Sequence, residues 1–296
     1  MVLSRQRVLR LALAVLAGIL LAVAIDVARV GGPRLWLARH GLPPPYLPQG
    51  ERIAVGTGSF YLDCRGEGSP TVVLESGAGS GAGAWSPVFD DIAMATRTCA
   101  YDRAGFGSSD PRGTRTLRQS AHDLRELLRL AGEQPPFVAV GHSLGGSYAR
   151  VFASEHRAET PAFVLIDSFD PDLQTDVIHP LLGTLEPEYE DRLDDLRRTV
   201  EAWERLDWDA SEAQLREADV TGLRLAVLVA HRYEPRLDAA TNEQIRRAWI
   251  EAFEALSPGR VTYEYAPGAG HLIPIDRPDL VAELVRRVAN EVRTGR

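Results

Sequence analysis

Apolar and polar positions follow a regular pattern along the chain after residue 50. Short apolar runs bounded by turn residues predict buried strands, and between them apolar residues recur every three or four positions, which predicts helices. One helix is predicted over 116–132, because Leu117, Leu124 and Leu128 share one face and Gly132 follows them. This alternation predicts one large α/β domain with a mostly parallel, doubly wound sheet. The runs that predict strands are RIAVG, SFYLDCRG, TVVLES, TRTCAYD, PFVAVG, AFVLIDS, LRLAVLVA and RVTYEYA.

Residues 170–220 depart from this alternation. The segment is acidic, helical in pattern and poor in strands, as in LEPEYEDRLDDLRRTVEAWERLDWDA. Because the strand pattern resumes after it, we expect a helical cap that is inserted over one end of the sheet. Trp203 and Trp208 lie in this cap and are candidates for contacting a substrate, although such tryptophans also pack between helices.

The N-terminus has a composition of its own. Three arginines among the first ten residues precede an uncharged apolar run from Leu11 to Ile25. This pattern predicts a cleaved signal peptide or an uncleaved membrane anchor within residues 1–30, followed by a Pro- and Gly-rich linker over 31–50. Either form places the rest of the protein outside the cytoplasm, secreted or attached to the membrane.

Composition and charge narrow the class of partner. Of the 296 residues, 45% are hydrophobic, which suits a domain with a sizeable core, and the formal net charge is −8. No basic patch interrupts this acidic balance, so nucleic acid is not expected as a partner.

A serine stands between two glycines where a predicted strand gives way to a helix. The stretch from Gly141 to Gly145 reads GHSLG, a G-x-S-x-G pattern with Ser143 at its centre. A sharp strand-to-helix turn strains the residue at its apex and leaves room only for small residues two positions before and after it. The serine is then exposed at the start of a helix, where free N–H groups can stabilise negative charge. We therefore predict that Ser143 is a nucleophile.

A serine nucleophile needs a base and hydrogen-bond donors for an oxyanion. His271, in a loop between the last predicted strand and the last predicted helix, is the candidate base. The backbone N–H groups of Leu144 and Ala78 are the candidate donors, since Ala78 lies in the Gly-rich loop ESGAGSGAGAW. Gly77 and Gly79 would let this loop approach a substrate closely.

Three stretches together resemble the α/β-hydrolase superfamily: YDRAGFGSSD, VGHSLGGSYAR and GAGHLIPIDRPDLV. The similarity spans about residues 52–293. It implies an α/β-hydrolase domain over residues 51–296, with a mostly parallel eight-stranded sheet, helices on both faces and a cap at about 170–220. It also implies a Ser-His-acid triad with no metal and no cofactor, and a largely structural role for the YDRAGFGSSD loop.

The resemblance leaves two main positions for the acid of the triad. Family members usually carry an aspartate just after the strand that follows the cap, where this chain has Glu234. A second family position is the end of the strand that follows the helix after Ser143, where this chain has Asp167. We expect Asp167, because the longer arm of glutamate needs more room to orient a histidine. Glu234 is the alternative, followed by Asp238 or another acid.

These residues predict a serine hydrolase that cleaves an ester or related acyl bond of a small or lipid-like molecule through an acyl-enzyme. A proline-iminopeptidase-like peptidase and a thioesterase are alternatives that would use the same triad. A non-catalytic binding or signalling protein with this fold is an alternative of another class. The serine argues against haloalkane dehalogenase or epoxide hydrolase chemistry, because the enzymes of those classes that it resembles carry an aspartate at this turn.

The two cysteines of the chain lie in the predicted second and fourth strands, as Cys64 and Cys99. In the sheet order that the resemblance implies, these strands are antiparallel neighbours, so cysteines that face each other can form a disulfide. The expected export favours the bridge, because disulfides persist outside the cytoplasm. Two buried free thiols are the alternative.

Overall fold

Eight strands form a single sheet in this computed structural model, which describes residues 48–168, 170, 189–230 and 237–295. Each strand lies where an apolar run predicted it, so the predicted fold class is confirmed. The strands are β1 (Glu51–Val55), β2 (Gly58–Arg65), β3 (Thr71–Glu75), β4 (Thr98–Tyr101), β5 (Phe137–His142), β6 (Ala162–Ile166), β7 (Arg224–Ala230) and β8 (Val261–Ala266).

The order of the strands brings particular loops together. The sheet runs β1-β2-β4-β3-β5-β6-β7-β8, and every neighbouring pair from β4 to β8 is parallel. The last residue of β3, Glu75, lies opposite Gly141 in β5, and His142 lies opposite Ile166 in β6. The carboxyl ends of these three strands therefore meet at one edge, and the loops that follow them lie side by side.

Helices cover both faces of the sheet. Successive residues of β5 contribute to two different cores: Phe137 and Ala139 to one, Val138 and Val140 to the other. Because side chains alternate between the faces of a strand, both faces are buried, which explains why the strand sequences are continuously apolar. The helices are α1 (Phe89–Ala93), α2 (Leu117–Leu130), α3 (Leu144–Glu155), α4 (Tyr189–Glu204), α5 (Trp208–Glu217), α6 (Ala239–Leu256), α7 (Ile273–Asp276) and α8 (Pro278–Thr294).

Local signals set the ends of the predicted helices. At the start of α2 the Thr116 side chain accepts the Gln119 N–H while the Gln119 side chain accepts the Thr116 N–H, which is a reciprocal capping box. Pro278 opens α8, where its missing N–H leaves no hydrogen bond unmade, and Gly295 ends it in a left-handed conformation.

The predicted cap and the N-terminal segment are described only in part. Within the cap region, α4 and α5 confirm the helical pattern, whereas residues 171–188 lie outside the described part. The signal peptide or anchor predicted in residues 1–30 and most of the linker also lie outside it. None of the helices in the described ranges has both the length and the apolar character needed to cross a bilayer.

A disulfide joins β2 to β4. The two strands are antiparallel and Cys64 lies directly opposite Cys99, with their Cα atoms 4.0 Å apart. The sulfurs are bonded, so the expected pairing is confirmed and the alternative of two free thiols is wrong.

We predict that loss of this bridge destabilises the domain. The bonded cysteines are 35 residues apart, and a cross-link of that span stabilises a fold by roughly 3–4 kcal/mol on the chain-entropy argument. The double variant Cys64→Ser/Cys99→Ser should lose about that much free energy of unfolding in urea, followed by circular dichroism. Wild type with reductant is the control and should approach the double variant. Equal unfolding free energies for the oxidised wild type and the double variant would contradict the prediction.

Candidate active site

Ser143 occupies the apex of the turn between β5 and α3. Its backbone has φ +55° and ψ −129°, a conformation that L-residues rarely adopt. A Cβ atom on Gly141 would lie 2.2 Å from the carbonyl oxygen of Gly145, and one on Gly145 would lie 2.2 Å from that of Glu75. Both glycines of the motif are therefore required by close backbone contacts, as its spacing predicts.

Hydrogen bonds hold the strained turn in place. The Ser143 N–H donates to the Ile166 carbonyl at 3.0 Å, which ties the turn to the end of β6. The Ser143 carbonyl accepts the Gly146 N–H at 2.9 Å and the Ser168 hydroxyl at 3.2 Å. Such an unfavourable conformation persists only where the surroundings determine it, and here they come from two neighbouring segments.

His271 connects Ser143 to Asp167. The Nε2 atom of His271 lies 3.0 Å from Ser143 Oγ, and its Nδ1 atom lies 2.7 Å from Asp167 Oδ2. A carboxylate accepts the Nδ1–H, which leaves the lone pair of Nε2 to accept the serine proton. The three side chains thus form one hydrogen-bonded series, although Ser143, Asp167 and His271 come from loops far apart in sequence.

Asp167 is fixed independently of His271. It is buried, its backbone φ is +41°, and its N–H donates to the Leu228 carbonyl at 2.8 Å. Its Oδ1 atom accepts the Ala230 N–H at 3.0 Å, so the end of β7 aims Oδ2 at the imidazole. Of the alternative acids, Glu234 lies outside the described residues, and Asp238 instead caps α6 by accepting the Thr241 N–H at 2.8 Å.

Residues 72–284 match the sequence model of the Alpha/beta hydrolase family. The chain belongs to the alpha/beta hydrolase family. One curated relative, the uncharacterized protein YqjL of Bacillus subtilis strain 168, is 35% identical over 104 residues, which are 35% of this chain. The match spans 41% of the length of that relative, less than half of it.

Solved structures of other proteins share the fold. A thermophilic esterase from Thermogutta terrifontis superposes with a TM-score of 0.54 at 20% identity, over 82% of this chain and 99% of that one. A variant of AqdC, described for recognition and ring-cleavage of the Pseudomonas quinolone signal, gives a TM-score of 0.63 at 19% identity over 82% and 99%. Because these two proteins act on different molecules, the structural similarity identifies the fold but not the substrate. The substrate has to be inferred from the residues of the site.

The Gly-rich loop of this alpha/beta hydrolase lies against Ser143. A Cβ atom on Gly77 would lie 3.4 Å from Ser143 Cβ, which is van der Waals contact, so this end of the loop lies directly beside the serine. In the described part of the chain, no residue accepts a hydrogen bond from the N–H of Leu144 or of Ala78. Both predicted oxyanion donors are thus available beside the serine, one at the start of α3 and one in the loop.

The two cap tryptophans have different surroundings. Trp203 is 61% exposed and lies over the Gly-rich loop, where a Cβ atom on Gly79 would be 3.1 Å from its ring. Trp208 is half-buried, its indole N–H donates to Glu212 at 2.6 Å, and it lines a cavity of only about 10 Å³. Trp208 shares this cavity with Leu144, whereas Trp203 lies against the Gly-rich loop, and the substrate contacts expected of both tryptophans stay predictions.

His142 also contributes to this site, a role that the G-x-S-x-G pattern does not predict. Its Nε2–H donates to the backbone carbonyl of His271 at 2.8 Å, and the two rings are 5.0 Å apart. Burial lowers the pKa of His142, which favours the neutral ring. His142, the residue just before Ser143, thus holds the loop of His271 in place, and its position next to Ser143 was the signal that the sequence offered.

A buried charge cluster lies behind the Gly-rich loop. It contains Arg103, from the loop after β4, together with Glu204 at the end of α4 and Glu75 at the end of β3. The Tyr101 hydroxyl donates to Glu75 at 2.8 Å. Burial raises the pKa of Glu75 to about 7, although the nearby charge of Arg103 lowers it. No sequence motif indicates this cluster, because its members come from three separate parts of the chain.

The raised pKa of Glu75 predicts that stability falls as the pH rises from about 4.5 to about 7. In that window the folded state keeps a proton that the unfolded state has released, so a rise in pH favours unfolding. Glu75→Gln keeps an acceptor for Tyr101 and cannot titrate. When the pH is raised from about 5 to about 8, the free energy of unfolding should fall less in Glu75→Gln than in wild type. The difference between the two decreases should be on the order of 3 kcal/mol.

The measurement is urea unfolding of each protein at both pH values. Glu251→Gln, which changes an exposed glutamate on α6, is the matched control and should follow wild type. The prediction is contradicted if the free energy of unfolding depends on pH in the same way in Glu75→Gln and in wild type. The Glu75 carboxyl would then have the same pKa in the folded and the unfolded protein.

Proposed function

We propose that this alpha/beta hydrolase is a serine hydrolase that cleaves an ester or related acyl bond. The observation that carries the proposal is the hydrogen-bonded series from Asp167 through His271 to Ser143, with distances of 2.7 and 3.0 Å. Acyl transfer by a serine requires a nucleophile, a base and an orienting acid within this reach of one another.

In the first half of the reaction, Ser143 Oγ attacks the carbonyl carbon while its proton passes to Nε2 of His271. Asp167 keeps Nδ1 protonated and stabilises the imidazolium that forms. The N–H groups of Leu144 and Ala78 receive the oxyanion, and the imidazolium then protonates the leaving alcohol. This step forms the bond from Oγ to the acyl group and breaks the ester bond.

In the second half, water attacks the acyl group with His271 again as the base. The proton of the water passes to Nε2 and then to Oγ as the acid is released, which restores the free serine. No group outside this set is needed for proton balance, since the same imidazole accepts and returns each proton.

The surroundings of the loop support an uncharged acyl substrate. Trp203 is largely exposed where it covers Gly79, so an apolar group bound there would remove aromatic surface from water. A peptidase that recognises a free amino terminus needs a carboxylate to bind the ammonium group. Of the two carboxylates outside this loop that accept its N–H groups in the described part of the chain, Glu204 is already bonded to Arg103, and Asp102 accepts the N–H groups of Ala82 and Ser108. This arrangement favours a small or lipid-like ester over an aminopeptidase substrate.

A non-catalytic binding protein was the rival of another class. This alternative depended on the chain having no acid in place to orient His271. The contact between Asp167 and His271 argues against it. A site that had lost its chemistry would have no need to keep Ser143 and Asp167 in strained backbone conformations.

We predict that a fluorophosphonate probe labels the wild-type protein and leaves Ser143→Ala unlabelled, because only an activated serine displaces fluoride from phosphorus at a useful rate. Mass spectrometry of the labelled peptide measures the result. Ser147→Ala is the matched control, since it changes a buried serine one turn along the same helix. Absence of label on a folded wild-type protein would favour the binding protein.

We predict that Asp167→Asn lowers kcat for p-nitrophenyl esters by about a thousandfold to ten-thousandfold with little loss of stability, because the amide favours the wrong tautomer of His271. Asp238→Asn is the control and should keep kcat, since that side chain caps a helix. Steady-state kinetics with esters of rising chain length measures both and also reports the preferred acyl group. Near-normal kcat in Asp167→Asn, together with an inactive Glu234→Gln, would assign the acid to Glu234.

A further inference from the structure

Arg103 and Glu204 form a buried ion pair between the cap and the Gly-rich loop. The Nε and Nη2 atoms of Arg103 donate to the two carboxylate oxygens of Glu204 at 3.0 and 2.8 Å. Their side chains are only 5% and 1% exposed. A two-point contact between a planar guanidinium and a carboxylate fixes direction as well as distance, so this pair holds one geometry.

The same two side chains bond to consecutive peptides of the loop. Arg103 Nη1 donates to the Ser76 carbonyl at 2.6 Å, and Nη2 donates to the Gly77 carbonyl at 2.9 Å. Glu204 Oε1 accepts the Gly79 N–H at 2.9 Å. Together they fix three successive peptides of the loop from the buried side on which Arg103 and Glu204 lie.

One of these bonds sets the direction of a candidate oxyanion donor. The Gly77 carbonyl and the Ala78 N–H belong to one trans peptide, and a planar trans peptide points these two groups in opposite directions. Because the carbonyl points towards Arg103, the Ala78 N–H points away from it. Gly77 itself lies against Ser143, so the orientation of this peptide is set beside the nucleophile.

We propose that Arg103 and Glu204 are positioning residues for the oxyanion: the end of the cap, through Glu204, holds Arg103 so that the Ala78 N–H points towards the substrate carbonyl oxygen. This inference rests on the proposed function of Ser143. It makes the cap part of the machinery that stabilises the transition state, in addition to any role as a cover over the substrate.

Glu204→Gln tests the proposal with little change of volume. The amide keeps one acceptor oxygen but places an N–H donor opposite a donor of Arg103, so the two-point contact is lost. We expect kcat for a p-nitrophenyl ester to fall by about tenfold to a hundredfold with KM almost unchanged, because oxyanion donors act mainly in the transition state. Glu201→Gln is the matched control, since Glu201 lies one turn earlier on α4 and pairs with Arg197 at the surface.

A thionoester separates positioning from a general loss of structure. Sulfur is a poor hydrogen-bond acceptor, so wild type should prefer the oxygen ester, and Glu204→Gln should lose part of that preference. The double variant Arg103→Met/Glu204→Met removes both charges of the pair together. Glu75, whose pKa the charge of Arg103 lowers, can then take up a proton, so this variant serves if the single variant does not fold. An unchanged preference in either folded variant would overturn the proposal.

Hydrogen exchange tests the same contacts without turnover. Exchange of the amides in residues 76–80 should be faster in Glu204→Gln than in Glu201→Gln, because the carboxylate that holds this loop is lost. Equal exchange would overturn the proposal even for an active enzyme. A wild-type protein that neither turns over esters nor takes the probe would refute the proposed function, while the exchange comparison would still decide whether Glu204 orders the loop.

Discussion

The close approach of α3 to the ends of β3 and β6 is the constraint on which the site depends. A Cβ atom on Gly145 would lie 2.2 Å from the Glu75 carbonyl oxygen, and one on Gly146 would lie 1.7 Å from Ser168 Oγ. The helix can begin so near the sheet only if the chain turns sharply at Ser143. Strain at such a residue costs about 1–3 kcal/mol, and the hydrogen bonds from β6 and the residues after it hold the serine there.

The pKa of Glu75 is raised to about 7 because this carboxyl is buried and Arg103 compensates its charge only in part. Arg103 directs its donors to Glu204 and to two loop carbonyls, whereas Glu75 Oε2 lies 3.7 Å from Nη1 and has no hydrogen-bond partner. Two buried carboxylates beside one guanidinium would leave an uncompensated negative charge, which a low-dielectric interior disfavours. Burial is thus the main cause of the raised pKa of Glu75; the negative charge of Glu204 raises it further, and the charge of Arg103 lowers it only in part.

The strands, the sharp turn at Ser143 and the loop that carries His271 could be predicted from patterns that are local in sequence, because periodicity and turn chemistry depend on near neighbours. Asp167 was predicted only as the first of several acids, since the contact that selects it joins loops 104 residues apart. Arg103 and Glu204 are 101 residues apart and left no pattern of their own. Trp203 and Trp208 stay candidates for substrate contact, because an aromatic side chain in a cap helix has the same sequence signal whether it packs or binds.

The YDRAGFGSSD loop has a more specific role than the structural one that the resemblance implied, because two successive residues hold the two ends of the Gly-rich loop. Arg103 binds the Ser76 and Gly77 carbonyls at its start, while Asp102 Oδ1 accepts the Ala82 N–H at 2.8 Å at its end. Asp102 leaves no room for a side chain at Gly81, whose Cβ would lie 2.2 Å from Oδ1. The shape of the Gly-rich loop is thus imposed by the loop that follows the neighbouring strand β4, so glycines that are flexible on their own can carry a donor of fixed direction.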